Sequence, residues 1–327
     1  MDSGSSAISH PPRANGRIVL AGGKGFLGRL LAHHFGSAGR ACVILTRRPD
    51  SAAHPREVYW DGHSAGEWIR EIEDADAVIN LTGRTVDCRY TEKNRREILE
   101  SRVNSTLAIG GAIANCRCPP RHWFNASTAT VYQHTRGRPY DEYAQEFSAT
   151  PEAKDAFSVS VGLAWEEALH RISTPSTRKI ALRTTMVLGH GRNSVFPVLM
   201  RLARWGLGGA QGGGDQFVSW IHGTDFCRAV EFLLGKTDWV GPVNLAAPEP
   251  LTNAEMMKII RNAAGAPFGL PAPEPLLEIG AFFMRTETEL ILKSRRVISA
   301  KLREAGFRFQ FPTFAEAVKD LARQGSG

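Results

Sequence analysis

The 327-residue sequence predicts an α/β fold: a doubly wound parallel sheet with a small, mostly helical C-terminal lobe. Three observations carry that expectation. Short apolar runs recur with helical segments between them, a glycine-dense turn follows the first run, and after residue 247 the pattern changes to helices punctuated by proline.

The apolar runs fall at 17–21, 41–46 (ACVILT), 76–81 (DAVINL), 122–127 (HWFNAS), 179–183 (KIALR) and 242–246 (PVNLA). Helices are expected between them at 26–38, 91–114, 155–171, 195–204 and 225–235, and strands separated by helices pair in parallel. Thr91 suits the cap of the second helix, and Asp225 is expected to accept N–H bonds at the start of the last. Beyond 247, Thr252-Asn-Ala-Glu255 and Thr313-Phe-Ala-Glu316 read as capping boxes, with a proline-rich crossing (GAPFGLPAPEP, 265–275) between. The expected units are a disordered tail at 1–16, a nucleotide-binding domain at 17–247 and a small helical domain at 248–325.

Ala21-Gly22-Gly23-Lys24-Gly25-Phe26-Leu27-Gly28 follows Arg17-Ile18-Val19-Leu20 directly. A diphosphate approaches backbone closely only where side chains are missing, and the N–H groups opening the next helix meet its charge. The same glycines also suit a tight turn without ligand. At the end of the second strand an acidic residue would hydrogen-bond a free ribose 2′-hydroxyl; Thr46-Arg47-Arg48 suits a 2′-phosphate instead, favouring NADP(H). After the third run, Asn80-Leu81-Thr82-Gly83 offers small residues past which an adenosine ribose can lie. Helix 91–114 carries Glu97 and Arg102, and Arg102 could reach a phosphate or pair with a carboxylate.

Composition narrows the alternatives. Apolar residues at 43% and charged residues at 22% are ordinary for a globular protein. The net charge of +7 welcomes an anionic ligand, but the basic residues are scattered in pairs such as Arg95-Arg96, so no nucleic acid partner is expected. Cys116-Arg-Cys118 lacks a second ligand pair, so no metal is expected, and the odd count of five cysteines points to reduced, cytoplasmic thiols. The tail lacks the apolar core of a signal peptide. No run reaches membrane-spanning length; the best, Leu276 to Phe283, is soon broken by Arg285, Glu287 and Glu289.

Longer motifs join these pieces: AGGKGFLG (21–28), VYWDG with GEW (58–62, 66–68), DAVINLTG (76–83), ESRVNST (100–106), RTTMVLG (183–189), SWIHGTDF (219–226), GPVNLAAPEPLTNAE (241–255) and GFRFQFPTFAEA (306–317). Over about residues 17–323 the chain resembles the extended short-chain dehydrogenase/reductase superfamily. It is most similar to the atypical epimerase-like branch labelled SulA-type or nucleoside-diphosphate-sugar epimerase homologues. The resemblance implies a Rossmann-type domain with a C-terminal helper domain. It implies Gly22, Gly25, Phe26, Leu27 and Gly28 at the diphosphate, Thr46 and Arg47 at the 2′-phosphate, Leu81 and Thr82 at the adenosine, and Glu97, Arg102 and Val187 along the cofactor. Superfamily members often form a homodimer through the helices corresponding to 91–114 and 155–171.

Ser127-Thr128-Ala-Thr-Val-Tyr132 resembles the S-[ST]-x-x-V-Y segment of sugar epimerases, which implies that the Thr128 hydroxyl bonds the reacting oxygen. In those enzymes a tyrosine, with a lysine four residues on, moves the proton. Here the residues four beyond the tyrosines are His63, Asn94, Arg136, Ala144 and Phe147, and Ser158 and Gly162 stand about where the pair belongs. Tyr132 with Arg136 could supply a cation-assisted phenol, or serve as a structural hydroxyl; His134 and His222 are further candidates, the latter also suited to bracing a loop. The glycine-dense 206–216 reads as a lid, with Gln216 and Trp220 lining a pocket, or as a flexible crossover. Two functions follow: an NADP(H)-binding oxidoreductase or isomerase (epimerase) acting on a small carbonyl, hydroxyl or sugar-nucleotide substrate, or a non-catalytic NADP(H)-binding sensor or partner-docking protein linked to cell division by the branch's label.

Overall fold

The computed structural model describes residues 16–275 and 289–325. The expected tail, except Gly16, and the stretch from Leu276 to Phe283 lie outside the described residues. In chain order the elements are β1 (Ile18–Ala21), α1 (Phe26–Ser37), β2 (Cys42–Thr46), β3 (Arg56–Tyr59), β4 (Ala77–Asn80), α2 (Glu92–Ala114), β5 (His122–Thr128), α3 (Ala156–Arg171), β6 (Arg178–Thr184), β7 (Met186–Leu188), α4 (Val195–Arg204), β8 (Phe217–Val218), β9 (Trp220–His222), α5 (Gly223–Leu234), β10 (Gly241–Leu245), β11 (Leu251–Thr252), α6 (Asn253–Ala263), α7 (Glu289–Leu292), α8 (Ala300–Glu304) and α9 (Phe314–Gln324).

Seven strands form one sheet in the order β10-β6-β5-β4-β1-β2-β3, with every neighbouring pair parallel. Strand order reverses between β1 and β4, so a crevice opens beyond their carboxyl ends. Alternate residues serve opposite faces. Ile18, Leu20, Ile44, Ile79 and Phe124 pack with Leu31 and Phe35 of α1 and Phe226 and Leu233 of α5. Val19, Val43, Val78 and Trp123 pack with Ile109 and Ile113 of α2 and Leu169 of α3. Burial on both faces is why these strands read as continuous apolar runs.

The remaining strands are short: β7 pairs in parallel with β9, and β8 antiparallel with β11. Phe196, Leu199 and Met200 of α4 pack with Met257 and Ile260 of α6 and Val318 and Leu321 of α9. Helix α4 precedes residue 247 yet sits in the helical lobe, while Leu302 of α8 and Phe307 join the core under the sheet.

Both capping boxes form, with reciprocal bonds between Thr252 and Glu255 and between Thr313 and Glu316. Thr91 caps α2 by accepting the Asn94 N–H. Asp225 departs from expectation. Helix α5 starts two residues earlier, where His222 Nδ1 accepts the Thr224 N–H, and Asp225 instead accepts the N–H groups of Gln310 and Phe311, each at 2.8 Å.

Candidate functional site

The glycines between β1 and α1 do different work. Gly22 has φ +74°, and a Cβ there would lie 3.0 Å from the Thr82 nitrogen; at Gly28 a Cβ would lie 2.4 Å from Gly23 Cα. The fold itself demands these two. Gly25 has an extended backbone (φ −73°, ψ 173°), and a Cβ there would meet nothing nearer than the Gly22 oxygen at 3.5 Å. Packing therefore does not require Gly25 to be bare. Helix α1 begins at this residue with no side-chain cap and no acidic residue in its first turn, so its leading N–H groups and positive dipole end face the crevice. A diphosphate fits that arrangement. Phe26 and Leu27 pack inward: the Phe26 ring covers Gly189, where a Cβ would approach it to 2.9 Å, and Leu27 joins the core.

At the end of β2, Thr46 Oγ1 accepts the Arg48 N–H at 3.4 Å, and Lys24 Nζ donates to the Arg48 carbonyl at 3.0 Å and to Glu57 at 2.9 Å. These bonds tie the strand exit to the glycine turn. Arg47 is exposed, and among the described residues its guanidinium has no ion-pair partner.

At the end of β4 the Asn80 carboxamide donates to Asn125 Oδ1 at 2.8 Å and accepts the Thr82 N–H at 3.0 Å, which fixes the loop through Leu81 to Gly83. A polar residue inside the apolar run DAVINL was the available signal for this anchor, and sequence reasoning missed it. Thr82 Oγ1 is buried without a hydrogen-bond partner, a costly state that a ligand hydroxyl or ring nitrogen would relieve. Arg102 lies behind Gly83, where a Cβ would come 3.2 Å from its guanidinium carbon. It donates to the backbone carbonyls of Arg84 and Ile98 and lies 5.0 Å over the Trp165 ring, and burial lowers its pKa to about 10. Among the described residues Arg102 pairs with no carboxylate. Glu97 pairs with Arg84 and with Lys93. Val187 is buried in β7 beside Ile221.

Thr128 ends β5, half-buried, with Oγ1 accepting the Thr130 N–H at 3.1 Å and donating to Thr130 Oγ1 at 3.0 Å. A Cβ on Gly162 of α3 would meet Val131 at 2.5 Å and Thr128 at 3.1 Å, so the helix packs too closely there for any side chain, lysine included.

The pairing of Tyr132 with Arg136 is corrected. Arg136 turns to the surface and pairs with Glu152 at 2.5 Å and Asp215 at 2.7 Å. Tyr132 is 1% exposed; its hydroxyl donates to Asn244 Oδ1 at 3.0 Å and accepts from Arg183 at 2.9 Å. Burial pushes its pKa up. Both hydrogen-bonding functions of Tyr132 are thus occupied inside the core. Arg183 forks onto Glu166 at 2.8 and 2.7 Å, and Ser127 Oγ donates to the same carboxylate at 2.5 Å.

His134 accepts the Ser294 N–H through Nδ1 as His222 accepts that of Thr224, and burial lowers both pKa values. The 206–216 segment is neither an open lid nor a loose crossover, because backbone bonds join Gly206, Gly209, Ala210 and Gly212 to Leu270 and Ala272. Its glycines allow close packing: a Cβ on Gly209 would lie 2.4 Å from Leu270 backbone. Gln216 and Trp220 are buried and bonded to the backbone of Gln211 and Glu249.

The sheet order and this crevice define a Rossmann-type protein of the extended short-chain dehydrogenase/reductase kind. Residues 18–246 match the NAD dependent epimerase/dehydratase family, and the chain belongs to it. Residues 272–321 match a domain of unknown function, DUF1731. Among relatives, the chain is 29% identical over 309 residues to epimerase family protein SDR39U1 of Bos taurus, covering 93% of this chain and 99% of that protein. It is 29% identical over 305 residues to epimerase family protein YfhF of Bacillus subtilis, covering 93% and 97%. The crystal structure of human SDR39U1 (isoform 2) with NADPH superposes with a TM-score of 0.82 at 28% identity, covering 94% of this chain and 99% of that one. MoeE5, crystallised with UDP-glucuronic acid and NAD, shares the fold with a TM-score of 0.73 at 19% identity, covering 95% and 99%. No helix among the described residues is long and apolar enough to cross a membrane.

Proposed function

We propose that this chain binds NADP(H) in the crevice and passes a hydride between it and a small carbonyl, hydroxyl or sugar-nucleotide substrate, as an oxidoreductase or as an epimerase. The open face of Gly25 on the uncapped start of α1 carries this reading, and the NADPH bound by human SDR39U1 supports it. The N–H groups of Phe26, Leu27 and Gly28 hold the diphosphate beside Gly22 and Gly25. Thr46 and Arg47 hold the 2′-phosphate, and Leu81, Thr82 and Gly83 flank the adenosine ribose. Bound cofactor supplies or accepts the hydride, and Thr128 orients the substrate oxygen. Equilibrium dialysis with NADPH and NADP⁺ tests the reading; retention of neither overturns it.

Arg47→Ala is expected to weaken NADPH binding by about tenfold to a hundredfold, the equivalent of one lost charge-assisted bond, and to leave NADH binding within about twofold. Equal losses for both would remove the 2′-phosphate from Arg47.

A second reading, a non-catalytic NADP(H) sensor or docking protein, draws on the closure of Gly162 against Thr128 and on the burial of Tyr132. NADPH that binds but is never consumed across a panel of aldehydes, ketones and quinones favours it. For either reading we assign a homodimer to α2 and α3, whose outer groove of about 300 Å³ is lined by apolar residues such as Leu99, Val103 and Leu107 together with the polar Glu100, Glu167 and Arg171. Sedimentation is expected to give twice the mass of one chain, and a single-chain mass sinks the assignment.

A further inference from the structure

We propose that Ser158 and Glu289 form the proton-transfer pair of this site, with the carboxyl brought to α3 by the C-terminal part of the chain. Ser158 lies one turn before Gly162, which touches Thr128. It belongs to the sheet-facing stripe of α3 that continues through Trp165, bonded to Thr106, and Glu166, bonded to Ser127 and Arg183. The Ser158 hydroxyl donates to Glu289 Oε2 at 2.7 Å. Glu289 is 5% exposed, and its other oxygen, Oε1, is buried without a hydrogen-bond partner.

Fastening this segment does not require Glu289. The fully buried Lys293, one turn further on, already does so: its Nζ lies 2.5 Å from Asp155 Oδ2 and donates to the Thr130 carbonyl at 2.7 Å. Asp155 and Lys293 largely offset each other, which leaves Glu289 as a carboxyl beside Arg295 in a desolvated pocket. Burial, the largest influence, pushes the Glu289 pKa up, against the opposing pull of Ser158, Arg295 and Lys293. A carboxylate with one oxygen unpartnered is costly to bury, whereas a carboxylic acid can hold a proton ready for its neighbour.

The pair rests on the NADP(H) reading. With Glu289 protonated on Oε2 the bond between the two reverses, the acid donating to the Ser158 oxygen; as a substrate carbonyl carbon takes up hydride from the reduced cofactor, the freed Ser158 O–H bond breaks and its proton goes to the carbonyl oxygen. The Glu289 O–H bond then breaks and restores the Ser158 hydroxyl. The products are an alcohol, oxidised cofactor and the Glu289 carboxylate; oxidation runs the same transfers backwards.

The pair requires the Glu289 carboxyl to lie near enough to the nicotinamide ring to sense its charge, because NADP⁺ carries a cationic ring and NADPH a neutral one. Dissociation constants for both forms, measured by dialysis between about pH 5 and pH 9, therefore test the pair without a substrate. The affinity for NADP⁺ relative to NADPH is expected to rise about tenfold or more as Glu289 ionises, and to stay flat in Glu289→Gln. The 2′-phosphate is common to both forms and cancels. Asp155, Lys293, Arg295, Tyr90 and His134, the other ionisable groups around this pocket among the described residues, are retained in the variant, so their contribution persists there. Ser158→Ala removes a donor that stabilises the carboxylate and is expected to move the midpoint to higher pH. A flat wild-type ratio, or the same slope in Glu289→Gln, overturns the pair. Should Glu289→Gln not fold, an unmoved midpoint in Ser158→Ala overturns it. Failure of wild type to bind either form overturns the cofactor reading and this pair with it.

Discussion

Gly25→Ala is expected to weaken NADPH binding about a hundredfold, close to 2.7 kcal/mol, while the thermal unfolding midpoint hardly moves. The added methyl meets no protein atom nearer than 3.5 Å, so the folded chain accommodates it, but it fills the space a diphosphate needs. Gly28→Ala is the matched control. Its methyl would lie 2.4 Å from Gly23 Cα, and backbone on both sides cannot yield as a side chain can, so this variant loses at least about 1–3 kcal/mol of stability. Dialysis and thermal melts on the two proteins separate ligand space from packing space. If Gly25→Ala binds like wild type, the diphosphate does not lie against this turn.

The largest stability effect is expected at Arg183. Its side chain and that of Glu166 are 5% and 12% exposed and joined by two bonds, with Tyr132 and Ser127 completing the network. Arg183→Ala leaves the Glu166 carboxylate buried beside an empty space, which costs about 3–5 kcal/mol. The exposed pair of Arg136 and Glu152 serves as the comparison, because solvent screens it and its removal costs about 0–1 kcal/mol. Urea unfolding of the two variants checks the contrast, and equal losses would show that burial around Arg183 does not strengthen the pair.

Local sequence carried the parts of the fold whose causes are local. The buried strands announce themselves because helices cover both faces and most positions must be apolar. The caps at Thr91, Thr252 and Thr313 were legible because a hydroxyl and the N–H it accepts lie within one turn. Strand β3 was not: Arg56-Glu-Val-Tyr59 is an edge strand with exposed ends, and nothing in its alternation exceeds that of a loop. The same limit explains the site. Arg136 is near Tyr132 in sequence, but the cation over the ring is Arg183, brought there by the pairing of β5 with β6. Glu289 meets Ser158 across 131 residues, a contact that no spacing rule encodes. Glycine density at 206–216 suggested looseness, whereas the close approach of a second backbone accounts for it.

Two carboxylates of the larger family-matched region end their hydrogen bonds in the last part of the chain. Asp225 holds Gln310 and Phe311, and Glu142 accepts from Ser299, Ala300 and Lys301 at the start of α8. The carboxyl-terminal quarter therefore cannot be traded among relatives like a cassette. A chimaera joined near residue 248 would leave Asp225 with Arg228 and Glu142 with the Asn244 N–H as partners unless the incoming piece repeats their other contacts, so selection must act on the two portions together.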